Sequence, residues 1–356
     1  MPVLVAAPDK FRGTATAVQI AEAIGRAGVR AGWSVVQSPL SDGGEGLLEV
    51  VRRPDDRLET LEVTGPLGQP VAASWLLGED RAIIEMAQAS GLALAGGPDR
   101  NRPTEATTRG TGELLVAAAR ALTTARTSFA DSPFPSIIIG LGGSATTDGG
   151  SGAMEVVDEA GGLGRAELVG ACDVSVGFLD AARVFGPQKG ATPQQVVELT
   201  DRLDRLADQY RERFGMDVRD LSGAGAAGGL GGAVVALGGR LELGYRLVAE
   251  LVGLGRQLQQ ADLVITGEGA LDVTSFAGKV VGGVLEDASA IGVPVLVIVG
   301  RATDEAADLA RQHGAQVVSL SDRFGEARSH RDTLACLEES VIQALDERPG
   351  RLGSGG

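Results

Sequence analysis

The sequence predicts an α/β protein, organised as two domains or one large one. Three observations predict it. Of 356 residues, 44% are hydrophobic but only 3% aromatic, so the core is Val, Leu, Ile and Ala, as suits helices layered on sheets. Buried strand-like runs followed by small-residue turns and helices recur at both ends of the chain: Val3 to Ala7, Trp33 to Leu40, Ala261 to Thr266, Val293 to Val299 and Ala315 to Leu320. Between them, Leu58 to Glu85 breaks the alternation. Its apolar or alternating runs are separated by Gly65-Pro66-Leu67-Gly68 and Gly78-Glu79-Asp80, the pattern of an antiparallel meander in which a second domain begins.

Each element follows in order. Val3 to Ala7 delivers Asp9, Lys10, Arg12 and Gly13 at a strand's carboxyl end, where open α/β sheets bind ligands. Thr14 or Thr16 caps the helix that follows, with Ile20, Ala23 and Ile24 on one face. The second strand ends in Ser41-Asp42-Gly43-Gly44-Glu45-Gly46. Two carboxylates among three glycines suit magnesium or a substrate hydroxyl, or simply a polar turn. Thr107 to Glu113 caps a helix whose N–H groups are open to an anion, though capping alone explains the threonines. Asp201 to Phe214 is a charged, solvated helix. The glycines from Gly223 to Gly232, among them Gly228 and Gly229, either admit a phosphate or pack closely on a neighbouring backbone. Gly267-Glu268-Gly269-Ala270-Leu271-Asp272 closes another strand, a helix starts near Lys279, and Gly350 to Gly356 is a flexible tail.

The central stretch runs from three β-branched residues, Ile137 to Ile139, into Gly140-Leu141-Gly142-Gly143-Ser144-Ala145-Thr146-Thr147-Asp148-Gly149-Gly150. Glycines turn backbone N–H groups toward an anion, Ser144 and Thr146 add donors, and Asp148 can hold a magnesium ion bridging phosphates. A strand-to-helix connection of small residues would look the same.

Charge and residue counts narrow the function. The net charge of -15 argues against nucleic acid or anionic membrane as partners and requires a local basic pocket for any anionic substrate. Only three residues are lysine, Lys10, Lys189 and Lys279, and each lies within three residues of a glycine. Lysine is a compact charge suited to phosphate. Two histidines, His313 and His330, leave no His triad or His metal site in prospect, and Cys172 and Cys336 show no metal spacing. With no disulfide framework, no signal-peptide pattern and no bilayer-length apolar run, the expected location is the cytoplasm.

The motifs together resemble the bacterial glycerate kinase type 1 family. The resemblance rests on Ala7 to Gly13, Ser41 to Gly46, Glu85 to Leu92, Gly110 to Leu114, Gly140 to Gly150, Ala171 to Val174, Val184 to Ala191, Gly223 to Gly229, and Thr266 to Gly269 with Asp272 and Lys279. The ordered set covers nearly the whole chain. It implies a flavodoxin-like parallel α/β domain built from both chain ends, residues 1–56 plus 258–356, and an inserted mixed α/β domain, residues 57–257, with the active site in the cleft between them. It also implies a kinase that uses ATP and Mg²⁺ to phosphorylate D-glycerate, with small molecules as its partners, working as a monomer or homodimer. The expected roles are Lys10, Lys189, Lys279 and Asp272 in catalysis, with Asp272 as base. Gly142, Gly143, Ser144, Thr146, Gly228 and Gly229 would hold the nucleotide. Asp9, Arg12, Asp42 and Arg109 would bind substrate, and Asp148 and Asp173 the metal. Three departures stand out: Ala270 where the family has arginine, Ser175 to Leu179 where it has Asn-Pro-Leu, and a short connection from Gly152 to Ala171.

Overall fold

In a computed structural model the chain is a mixed α/β protein that divides into two compact units. Residues 1–125 and 134–347 are described; the expected flexible tail, Gly350 to Gly356, lies outside them. One unit comprises Met1–Asp42, Glu49–Val51 and the chain from Tyr245 onward; the other comprises Gly43–Leu48 and Arg52–Gly244.

In chain order the strands are β1 Val3–Ala6, β2 Ser34–Gln37, β3 Arg57–Thr64, β4 Pro70–Leu77, β5 Arg81–Glu85, β6 Ser136–Gly140 and β7 Glu167–Cys172. There follow β8 Arg240–Leu243, β9 Leu263–Thr266, β10 Ala270–Leu271, β11 Val295–Val299, β12 Arg301–Ala302 and β13 Gln316–Ser319.

The unit of the chain ends holds a five-stranded, all-parallel sheet in the order β13-β11-β9-β1-β2. Counted within this unit, that is the doubly wound order 2-1-3-4-5 of flavodoxin-like sheets. The central strands β9 and β11 are buried at every residue, which explains their unbroken apolar sequence. The helix Ala17–Arg30 starts at a capping box between Thr16 and Gln19. Its Ile20 and Ile24 share a core with Leu337 and Val341 of the last helix, Thr333–Asp346, and with Leu4 and Ile265 of the sheet. The order reverses between β1 and β9, so the loops after these two strands diverge and open a crevice at their carboxyl ends.

The inserted unit holds a six-stranded sheet in sequence order, β3 to β8. The first three strands are an antiparallel meander, and β5 to β8 are parallel.

Both boundaries differ from those read in the sequence, for packing reasons. The residues from Tyr245 belong with the chain ends, because the Tyr245 ring lies over Gly283 of the helix Val280–Ala290 and its hydroxyl donates to Asp287. Gly43 to Leu48 belongs with the insert. Its turn packs on Gly140 and Gly142, and the Leu48 N–H donates to Glu85. Among the described residues no helix is long and apolar enough to cross a membrane.

A Cβ on Gly283 would lie 2.2 Å from the Tyr245 ring. Alanine in a helix interior gains about 1 kcal/mol over glycine, whereas overpacking a filled core costs ~1–3 kcal/mol. The clash wins, and Gly283→Ala is expected to lower the thermal midpoint. A midpoint raised by the better helix former would contradict this packing.

Candidate active site

The crevice at the β1/β9 reversal is a cavity of about 620 Å³ lined wholly by the unit of the chain ends. Asp9, Lys10 and Arg12 come from the loop after β1, and Asp42 from the end of the loop after β2. Glu268, Ala270, Asp272 and Lys279 come from the segment after β9. Arg301 follows β11, and Glu326, Ser329, His330 and Thr333 close the far side. Six residues singled out in the sequence therefore meet here: Asp9, Lys10, Arg12, Asp42, Asp272 and Lys279.

Lys10 is the internal strut. Its ammonium lies 3.6 Å from Asp9 Oδ1 and 3.5 Å from Asp42 Oδ1. Burial alone would lower its pKa, but the two carboxylates offset this and leave it above the ordinary lysine value. Burial pushes Asp9 up to about 6 against the pull of Lys10, and the charge of Asp42 adds to the rise. With Lys10 committed to two carboxylates, the positive charge open to a ligand is that of Arg12 and Arg301, both exposed cavity residues, and of Lys279. The Lys279 ammonium donates to Thr274 Oγ1 at 3.2 Å.

The two acids after β9 differ sharply. Asp272 caps the turn Val273–Phe276, and its Oδ1 accepts from Thr274 N at 2.8 Å and Thr274 Oγ1 at 2.6 Å. The Thr274 hydroxyl bond holds this carboxyl below its ordinary value, which makes Asp272 a poorer base than the sequence suggested. Glu268 is pushed up to about 7, chiefly by burial, with the charges of Asp9 and Asp272 adding to it. Its Oε1 is buried and has no hydrogen-bond partner among the described residues.

The glycine-rich stretch after β6 behaves otherwise. Ser144, Thr146 and Asp148 are buried. Asp148 Oδ2 accepts from Thr108 N and Oγ1 at 2.8 Å each and from Gly152 N, while Oδ1 accepts from Gly150 N. The anion facing the N-terminus of the helix Arg109–Ala125 is thus the chain's own carboxylate. Asp148 does not serve as an open metal ligand, because four donors already surround it. Lys189 is also buried; its ammonium donates at 2.7 Å to Ser144 Oγ and at 2.7 Å to Thr146 O. It holds this loop from inside instead of reaching a ligand.

Gly228 and Gly229 press on the same loop. A Cβ on Gly228 would lie 2.0 Å from Thr146 O, and one on Gly229 2.7 Å from Gly149 Cα. Of the two readings these glycines allowed, close backbone packing is the one observed, and they and Thr146 are not available as a phosphate cradle. Only Gly142 and Gly143 of this stretch keep appreciable exposure. Arg109 pairs with Glu113, Glu155 and Glu159, so its charge is already answered. Asp173 is half-buried just past β7. Among the described residues no cluster of three or more His, Cys, Asp or Glu is placed to hold a metal.

Sequence reasoning missed Glu268, Arg301 and His330 as cavity residues. The first two were accessible to it, since both follow a buried strand and stand beside glycine, as Asp42 stands beside Gly43. His330 carries no such signal, because it arrives through the packing of the C-terminal helices.

The sequence profile of the glycerate kinase family matches residues 4–159 and 156–346. This chain belongs to the glycerate kinase family. It is 37% identical over 352 residues to the glycerate 2-kinase of Escherichia coli K12, covering 88% of this chain and 89% of that protein. It is 36% identical over 371 residues to an uncharacterized protein of Mycobacterium bovis, Mb2228c, covering 100% and 93%. To the glycerate kinase of Bacillus subtilis 168 it is 36% identical over 377 residues, covering 93% and 95%. A crystal structure from Salmonella typhimurium LT2, provisionally named glycerate kinase 2, superposes with a TM-score of 0.76 at 30% identity, covering 97% of each chain. As a family member the protein is a phosphotransferase that acts on an alcohol group.

Burial pulls Lys189 down to about 7 from an ordinary value of 10.5, against the opposing charge of Asp148. The unfolded chain therefore binds more protons between these values, and stability rises with pH through that window. In Lys189→Met this gain is absent. Urea unfolding at pH 7 and pH 9 is expected to show wild type gaining on the variant. Equal pH dependence would mean that the lysine keeps its proton in the fold up to its ordinary range, and that burial does not lower its pKa.

Proposed function

We propose that the protein phosphorylates D-glycerate with MgATP, that the cavity at the β1/β9 reversal binds the glycerate, and that the product is 2-phosphoglycerate. The observation that carries this reading is the pairing, in one crevice, of exposed Arg12 and Arg301 with the acids Asp9, which is buried, and Glu268, which is half-buried. A small hydroxy acid needs both. Its carboxylate takes a charge-assisted bond from guanidinium, and its hydroxyl needs a proton acceptor beside it. The 2-hydroxyl is the immediate neighbour of the carboxylate, so a clamp on one positions the other. The name of the Escherichia coli relative, a glycerate 2-kinase, supports the same regiochemistry.

Magnesium supplies charge neutralisation on the phosphates. It ordinarily keeps several waters and takes one or two protein carboxylates beside the phosphate oxygens. Asp173, a half-buried carboxylate at the carboxyl end of β7, is the residue we assign to that role. Within the cavity, Lys10 holds Asp9 and Asp42 in place, and Arg12, Lys279 and Arg301 supply the cationic surface that an acidic chain otherwise lacks.

Coupling the reaction to enolase alone tests the product, because enolase uses 2-phosphoglycerate directly. Phosphoenolpyruvate is expected to appear in step with ADP. If it waits for added phosphoglycerate mutase, the product is the 3-isomer. Arg12→Gln is expected to raise the KM for glycerate by ~10–100-fold, the equivalent of one hydrogen bond to a charged group, ~1.5–3 kcal/mol. Unchanged KM would remove Arg12 from the clamp.

A further inference from the structure

We propose that Glu268 is the catalytic base of the transfer, the group that takes the proton of the acceptor hydroxyl, and that the turn around it is built to present it. This rests on the reading of the cavity as the acceptor's site.

The turn Gly267-Glu268-Gly269 passes between two other strand ends. The Gly267 carbonyl accepts from Asp9 N at 2.9 Å, on the β1 side. The Glu268 carbonyl accepts from Gly300 N at 3.1 Å, on the β11 side. A Cβ on Gly267 would lie 1.7 Å from Ile298 O, and one on Gly269 3.1 Å from Arg12 N. Gly267 excludes a side chain and Gly269 leaves little room for one, so Glu268 projects from a turn held on both sides by backbone hydrogen bonds. That rigidity is what a base needs for its position to be fixed.

The other acids of the cavity are committed. Asp9 Oδ1 accepts from Lys10 N at 2.7 Å and lies beside the Lys10 ammonium, and Asp42 faces the same ammonium. Asp272 caps its own turn. Glu326 lies exposed in the first turn of the helix Glu326–Arg331. Only Glu268 combines burial with an oxygen that lacks a donor among the described residues. A buried acceptor without a donor costs stability, and Glu268 itself lines the cavity assigned to the acceptor hydroxyl.

The charges around it match the task. Asp9 from the β1 loop and Asp272 from its own segment raise its proton affinity; Ser275 and Lys279 lower it. Across the cavity stand Arg12, Arg301 and His330. Burial outweighs the lowering groups and poises the carboxyl near neutrality, where a base both accepts and releases a proton readily. In the step, the acceptor oxygen forms a bond to the γ-phosphorus as the bond from that phosphorus to the β–γ bridging oxygen breaks. ADP leaves with the electron pair of the broken bond, and the hydroxyl proton passes to Glu268 and then to solvent.

Glu268→Gln in the full chain, assayed with MgATP and D-glycerate, tests this. The expected result is a kcat lowered by about 10²-fold or more, with KM for glycerate and for ATP within about threefold of wild type. The limb of the wild-type kcat/KM profile that rises through about pH 7 should vanish in the variant. A second readout needs no turnover. Wild type should lose thermal stability relative to the variant as pH rises from 4.5 to 7, because the folded carboxyl holds its proton longer than the unfolded one. Glu268→Asp keeps the carboxylate and is expected to retain the limb at reduced kcat, which covers a glutamine variant that fails to fold. Wild-type kcat with an intact limb in the glutamine variant would overturn the proposal, as would an effect confined to KM or to the magnesium requirement. If D-glycerate is inert but another hydroxy acid is phosphorylated, the substrate reading fails, and the same comparison on that acceptor still judges Glu268. If no hydroxy acid is phosphorylated, both fall.

Discussion

The mouth of the five-stranded sheet depends on how closely three backbone segments approach at Gly267. Its missing side chain lets the carbonyl of Ile298 come to where a Cβ would stand. Gly300 does the same for the carbonyl of Gly269, whose own missing Cβ admits the Arg12 backbone. These approaches bring the ends of β1, β9 and β11 within hydrogen-bonding distance of one another. Arg12, Glu268 and Arg301 are thereby delivered to one cavity from three places far apart in sequence. Beyond these contacts the strand order reverses between β1 and β9, and the diverging loops leave the crevice that these side chains line.

In the inserted unit the same ingredient serves the opposite end. Gly140, Gly142, Gly228 and Gly229 also admit backbone at close range, but here the approach closes the loop over instead of opening a cavity. The loop from Gly142 to Gly150 is closed over by the segment around Gly228, crossed by Lys189 and filled by Asp148. Every group that could have faced a phosphate there, apart from the Gly142 and Gly143 tip, has a partner within the fold or lies buried. Glycine confers closeness of approach, and what approaches is decided by tertiary packing.

That explains what could be read in advance. The α/β alternation and the meander were legible because hydrophobic period reports local structure directly. Asp9, Lys10, Asp42 and Lys279 could be picked out because strand ends in open sheets collect ligand-facing residues. Glu268 obeys the same rule, yet in sequence it is indistinguishable from Asp272, and only burial separates a poised acid from a helix cap. Asp148 and Lys189 misled for the converse reason. A polar residue beside glycine looks the same whether it meets a ligand or satisfies buried amides. The unit boundary at Tyr245 had no local signal, since it depends on a ring meeting Gly283 across nearly forty residues.

Two buried ionisable groups remain as the electrostatic cost of this design, and they act in adjoining pH windows. Glu268 keeps its proton in the fold to about 7, so its stabilising contribution is present at low pH and declines as pH rises from 4.5 to that point. Lys189 gives up its proton in the fold from about 7, so its contribution grows from there toward 10.5. Near neutrality both groups are close to their least favourable balance. Lys189 gives a structural return, because its Nζ donates to two loop acceptors, Ser144 Oγ and Thr146 O. Glu268 has a smaller structural return: its carboxyl takes a hydrogen bond from Ser275, but its Oε1 has no partner among the described residues. An acid that destabilises the fold near neutrality, on a turn fixed by backbone hydrogen bonds and lining a cavity, has the properties that the proposed proton-accepting role requires.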